Sequence, residues 1–363
     1  MIKVLVVEDS PVVQEFLVHI LNSDPDLRVI GTAKDGEEAI EAVKSKRPDV
    51  ITMDIHMPKM DGFEATRKIM ETHATPIVIV SGSSSAVEVA STFHALEAGA
   101  LSVIPRPKGI GHPEYERTAR ELIQTVKLMS EVKVVRRWPL SRRKLEVFST
   151  PKVKIDMATQ EIRIVAIGAS TGGPLALQTI LSQLPIGFPV PVVIVQHMAS
   201  GFIDGFVEWL GQSSGLPVHV ASHGEHLRPG HIYVAPDGFH MGVAAGDRLI
   251  LSTNEAENGL RPAVCYLFRS IAHVYGRDAV GVLLTGMGKD GAEGLKLMRE
   301  KGAITAAQDE QTSVVYGMPK EALELDAAMY LLSPDSIAGL LTSLAHKSGM
   351  ETSHETQEKR QKR

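Results

Sequence analysis

The sequence predicts two α/β domains in tandem, each folded around a mainly parallel sheet, the first of them doubly wound. Three observations point there. Short β-rich runs alternate with amphipathic helical runs in two separate blocks, the succession that right-handed crossovers turn into a parallel sheet. A basic stretch without periodicity divides the blocks. The residues able to do chemistry fall just after apolar runs, at the carboxyl ends of strands where ligands collect in such sheets.

In the first block the β-rich runs are residues 2–7, 28–32, 50–53, 77–81 and 101–104, with helical runs such as 12–21 and 37–43 between them. Residues 114–132 read as its last helix. The domain is expected to span 1–125, with the helix end and a linker filling 126–160. That linker carries Arg136, Arg137, Arg142, Arg143 and Lys144. A charge run of this kind can be a nucleic-acid arm, but its commoner meaning is a solvated connector between domains.

The second block, 161–346, has β-rich runs at 162–167, 190–195, 280–284 and 303–306. Residues 218–253 differ, with three short β runs separated by Gly-rich turns at 228–230, 237–238 and 245–247. Such closely spaced turns predict an antiparallel addition at one edge of the sheet. Residues 347–363 are polar, charged and aperiodic, as expected of a disordered tail.

Composition narrows the function. With 44% hydrophobic and 22% charged residues, the chain has the balance of a soluble globular protein. No stretch reaches the roughly 18–20 apolar residues of a membrane helix. The opening run leads from a strand into Glu8 and Asp9, unlike a signal peptide. A net charge of −5 gives no reason to expect nucleic acid as a partner. Cys265 is the only cysteine, which excludes an intrachain disulfide and a cysteine-rich zinc site. A cytoplasmic location fits all of this.

Glu8 and Asp9 follow the first strand and Asp54 follows the third. Adjacent parallel strands would bring these carboxylates close together, and like charges at that range call for a hard divalent cation such as Mg²⁺. A carboxylate held against Mg²⁺ can attack a phosphoryl group. Ser81, ending the next strand, can donate a hydrogen bond to the product. A single acidic residue after a strand often only caps a helix. The combination with Met57-Pro58-Lys59-Met60-Asp61-Gly62 is more specific. Over about its first 125 residues the sequence resembles the response-regulator receiver family, whose fold is flavodoxin-like. The resemblance implies Asp54 as phosphoacceptor, Glu8 and Asp9 as metal ligands with the backbone carbonyl of His56, and Ser81 as the switch hydroxyl. Two positions depart from the family pattern. Arg106 stands where a lysine is usual, with Lys108 as an alternative cation, and Val103 stands where many receivers carry an aromatic residue.

In the second block, Gly168-Ala169-Ser170-Thr171-Gly172-Gly173 lies between a strand and a helical run. The first five residues are a literal Gly-x-Ser-x-Gly, the setting of a nucleophile elbow. The next strand ends in Gln196-His197-Met198, which places a general base beside the serine. Asp290, in the turn 285–291, supplies the carboxylate such a base needs. The chain order Ser, His, Asp differs from that of α/β-hydrolases, so the motif supports a nucleophilic serine without implying that fold. Singly, each residue has a plainer role: Ser170 or Asp290 as a helix cap, His197 as a satisfied strand-end histidine.

Residues from about 160 to 345 resemble the catalytic domain of chemotaxis protein-glutamate methylesterases. The resemblance rests on 168–173, Gln196-His197-Met198 with Phe202, Arg261-Pro262, 284–291, and Gln308-Asp309-Glu310 with 314–319. It implies a Rossmann-like hydrolase domain with Ser170, His197 and Asp290 as catalytic triad. The Met287 N–H would serve in the oxyanion hole and Thr171 as an orienting residue. Chemoreceptors would be the substrate and a chemotaxis histidine kinase the phosphodonor. No cofactor is implied for the ester step, and glutamine deamidation is an allied activity. The receiver would cover the catalytic mouth until phosphorylated. One rival is dinucleotide binding, since 286–291 is also a literal Gly-x-Gly-x-x-Gly. Others are a DNA-binding output domain, which would show a basic helix-turn-helix, and a catalytically inactive receptor-binding module.

Overall fold

The structure is a computed structural model that describes residues 1–82, 86–132, 134 and 161–345. The linker residues 135–160 and the tail from 346, where the connector and disorder expectations fall, lie outside the described residues. The chain divides into two compact units.

The first unit runs β1 (Ile2–Val7), α1 (Pro11–Asn22), β2 (Leu27–Ala33), α2 (Gly36–Lys46), β3 (Val50–Met53), α3 (Gly62–Thr72), β4 (Ile77–Ser81), α4 (Ala86–Ala98), β5 (Ser102–Pro105) and α5 (Tyr115–Ser130). All strands are parallel, in the order β2-β1-β3-β4-β5. β3 and β4 are buried along their whole length, so their runs are apolar without alternation, as in sheets covered on both faces. α2 and α3 start where the carboxylates of Asp35 and Asp61 accept the N–H of Glu38 and Glu64, satisfying donors that a helix start leaves unpaired. Strand order reverses between β1 and β3, opening a crevice at their carboxyl ends.

The second unit runs β6 (Ile164–Ala169), α6 (Gly173–Leu181), β7 (Val192–Gln196), α7 (Ile203–Ser214), β8 (Val218–Val220), β9 (Ile232–Val234), β10 (His240–Ala244), β11 (Arg248–Ser252), α8 (Val264–Val274), β12 (Ala279–Leu283), α9 (Ala292–Glu300), β13 (Ile304–Gln308), α10 (Met318–Glu324) and β14 (Tyr330–Leu332). Seven strands form a parallel sheet in the order β14-β13-β12-β6-β7-β9-β8. The antiparallel element expected within 218–253 is the β10–β11 pair, a two-stranded sheet of its own. The edge of the large sheet is extended by β9 and β8, both parallel. The hairpin stands apart because its apolar side is covered by α8. Met241, Val243 and Leu249 share one buried cluster with Val264, Leu267, Phe268 and Ile271 of that helix.

The same cluster reaches the central strands through Ile164, Ala166 and Leu283, so α8 is packed between hairpin and sheet. Its start touches the end of β6. A Cβ at Gly168 would lie 2.2 Å from a methyl of Val264, so any larger residue must push the helix away. Gly168→Ala is expected to lower stability by roughly 1–3 kcal/mol in urea unfolding. Part of that loss should return in the Gly168→Ala/Val264→Ala double variant.

Candidate active site

The main sheet sets the positions of the reacting groups. β12, β6 and β7 are parallel neighbours, with Leu283 opposite Gly168 and Ala169 opposite Gln196, so their carboxyl ends lie level. From β6 the chain builds outward to β7, then returns to β12 on the other side. That reversal places the crevice at the end of β6. Ser170 follows β6 at once. Its N–H donates to Thr285 O at 3.0 Å, and the chain turns through Gly172, at φ 79°, into α6. His197 follows β7, and its N–H donates to Ala169 O at 2.9 Å.

Asp290 lies in the turn after β12 and is only 4% exposed. Its Oδ2 accepts the N–H of Val264 at 2.6 Å and its Oδ1 that of Cys265 at 3.0 Å. These are the first two residues of α8, whose N-cap, Ala263, has no side-chain acceptor to offer. His197 Nε2 lies 3.0 Å from Oδ2, although the ring N–H is not aligned on that oxygen. The charge interaction does not need that alignment. Burial pushes the Asp290 carboxyl up, but the His197 contact and the two amides outweigh it and hold it below the usual carboxylate range. With Nε2 facing Asp290, Nδ1 is the ring nitrogen left to exchange a proton. Beside them, burial and the Asp290 charge push the Cys265 thiol up to about 11, which keeps it neutral and unreactive.

The turn after β12 presses on Ser170. A Cβ at Gly286 would lie 2.6 Å from that of Ser170. Met287 comes next and is 55% exposed. Among the described residues its N–H has no acceptor. The Thr171 hydroxyl has no partner among the described residues, whereas the Thr171 carbonyl lies 3.0 Å from the Thr285 hydroxyl.

Sequence reasoning did not single out the buried polar residues that tie these turns together. Thr285 Oγ1 accepts the Val315 N–H at 2.9 Å, and Gln308 Oε1 accepts the Thr285 N–H at 2.8 Å. Gln196 Nε2 donates to the carbonyls of both Ser170 and His197, each at 2.8 Å. The signal was a polar residue closing an apolar run, at Gln196 and at Gln308.

In the first unit, carboxylate oxygens of Glu8, Asp9 and Asp54 lie within 4.8 Å of one another. Burial first, then the charge of Asp54, pushes Glu8 up to about 7, and burial raises Asp54. Mutual repulsion in an all-oxygen set is what a hard divalent cation relieves, so these residues fit Mg²⁺. Arg106 reaches the cluster, its Nη2 lying 2.9 Å from Glu8 Oε2 and 3.6 Å from Asp54 Oδ2. Lys108 stays exposed. Ser81 is buried at the end of β4, the His56 side chain is exposed, and Val103 is half-buried opposite Ile79.

Comparison with known proteins agrees with this division. Residues 165–341 match the family model described as CheB methylesterase, and 4–112 that of the response regulator receiver domain. A protein-glutamate methylesterase/protein-glutamine glutaminase of Nitrosospira multiformis is 59% identical over 349 residues, 96% of this chain and 98% of that relative. The chain belongs to the protein-glutamate methylesterase/protein-glutamine glutaminase family. A member from Geobacter metallireducens is 57% identical, covering 95% of this chain and 99% of its own. The crystal structure of the Thermotoga maritima CheB methylesterase catalytic domain shares 40% identity at a TM-score of 0.49, covering 51% of this chain and 99% of that one. Among the described residues, no helix is long and apolar enough to cross a membrane.

The Asp290 shift makes a prediction with a definite sign. A depressed carboxyl contributes stability above its unfolded value of about 3.9, lost as pH falls through the lower folded value. Urea unfolding of the wild type should therefore weaken through that acid window. In Asp290→Asn this component should be missing.

Proposed function

We propose that Ser170, His197 and Asp290 hydrolyse the γ-methyl esters of glutamate side chains on chemoreceptors, with the receiver controlling the reaction. Relatives that share nearly the whole chain are named protein-glutamate methylesterase/protein-glutamine glutaminase. Ester and amide differ only in the leaving group, methanol or ammonia, so one acyl-serine serves both. The observation that carries the assignment is the buried Asp290 carboxylate, fixed by two amides and 3.0 Å from His197. The same carboxylate speaks against dinucleotide binding, because it puts a negative charge inside the glycine-rich turn that a pyrophosphate would need.

As Ser170 Oγ attacks the ester carbonyl carbon, His197 takes its proton and the carbonyl electron pair moves to oxygen, facing the Met287 N–H. Collapse of that intermediate breaks the bond to methoxide, which leaves as methanol with the proton from His197. Water then attacks the glutamyl ester of Ser170 by the same path in reverse, freeing glutamate and the serine. Asp290 holds the imidazolium that forms in each half. Thr171, through its carbonyl contact with Thr285, steadies the turn behind the nucleophile.

In the receiver, Asp54 accepts a phosphoryl group from a chemotaxis histidine kinase. Glu8 and Asp9 would hold Mg²⁺ with Asp54 and the His56 carbonyl. When bound, the ion neutralises charge on the transferring oxygens. Ser81, the last residue of β4, and Arg106, which follows β5, would meet the phosphoryl oxygens. The cytoplasm is the proposed place of action.

Methanol release from methylated receptors tests both halves. Ser170→Ala should lower the rate roughly 10³-fold or more. A small phosphodonor with Mg²⁺ should stimulate wild type but not Asp54→Asn, which should keep the basal rate. No release from wild type, on receptors that a reference enzyme demethylates, would overturn the assignment.

A further inference from the structure

Resting on the esterase reading, we propose that Gln196 is a positioning residue that sets the separation between the nucleophile Ser170 and the base His197. Gln196 is the last residue of β7 and is 2% exposed. Its Nε2 donates to Ser170 O and to His197 O, both at 2.8 Å. One planar amide group therefore spans the two turns that carry the reacting side chains. The main-chain ladder between β6 and β7 ends here, with Ala169 opposite Gln196 and the His197 N–H on Ala169 O. Beyond that point the Gln196 side chain takes over the link. Ser170 O has a second donor, the Gly173 N–H at 2.8 Å, whereas His197 O has no other donor among the described residues.

Two further features indicate that the amide is placed for its donors. Its Oε1 is buried without a partner, an arrangement that costs stability and that an apolar residue closing the strand would avoid. Gly173 also leaves it room, since a Cβ there would lie 2.1 Å from Oε1. Gln196 reaches only the backbone of the two catalytic residues, so it acts on the reaction through where they sit. An error of about 1 Å in such a pair can lower the rate about 100-fold.

The test compares full-length wild type with Gln196→Glu, which replaces both donors by acceptors, and Gln196→Met, which keeps the length without hydrogen bonds. Three quantities are read: kcat and KM for methanol release, the pH dependence of Ser170 inactivation by phenylmethylsulfonyl fluoride, and the folded fraction from thermal unfolding. Per folded molecule, both variants should lose about tenfold or more in kcat and inactivation rate, with KM within about twofold. The pH midpoint of inactivation should shift as well. Wild-type rates in both variants, or losses explained wholly by a smaller folded fraction, would overturn the positioning role. If wild type is not inactivated, or Ser170→Ala is inactivated equally, the esterase reading itself falls.

Discussion

A carboxylate buried to a few per cent exposure must find donors or give up its charge, and the second domain depends on how Asp290 meets that demand. Two amides from the first turn of α8 and one histidine face it. The consequences run through the fold. α8 has to begin beside the end of β6, so the last residue but one of that strand, Gly168, must lack a side chain to admit Val264. The hairpin β10–β11 then has α8 to pack on and stands away from the sheet edge. One ionised group is helix cap, packing anchor and electrostatic partner of His197 at once.

Both domains use the same topological device, a reversal of strand order that gathers polar residues at adjacent strand ends. They differ in how charge is compensated. Around Glu8, burial and the charges of Asp54 and Asp9 lift the carboxyl to about 7 even though Arg106 and the Ser10 amide pull it down. Around Asp290 the neighbours are amides and an imidazole, and the carboxyl is held low despite its burial. The first arrangement favours an incoming cation. The second is already balanced, and in the proposed reaction it would stabilise charge that forms on His197.

Much of this was legible in the sequence because buried parallel strands are continuous apolar runs, so β3, β4, β6 and β7 stand out with their following residues. Ser170, His197 and the Glu8, Asp9, Asp54 cluster directly follow strands and share that signal, whereas Asp290 stood out through the glycine-rich turn after β12. The parallel pairing of β8 with β9 was hidden, since three-residue strands between glycine-rich turns read equally well as a meander. Also hidden were the backbone amides of Val264 and Cys265 that hold Asp290 beside His197, since amides carry no side-chain signature. Gln196 was visible beside His197, but its double donation depends on the relative height of two turns, which only the strand register fixes. The Arg106 departure was visible, and its contacts with Glu8 and Asp54 follow from its place one residue after β5.

The most direct measurement is mass spectrometry of the enzyme quenched in acid within the first turnover on methylated receptors. A covalent glutamyl adduct on the peptide bearing Ser170, formed at the rate of methanol release, is the predicted result. Methanol release with no adduct, or with the adduct on another residue, would contradict a serine nucleophile held between His197 and the anchored Asp290.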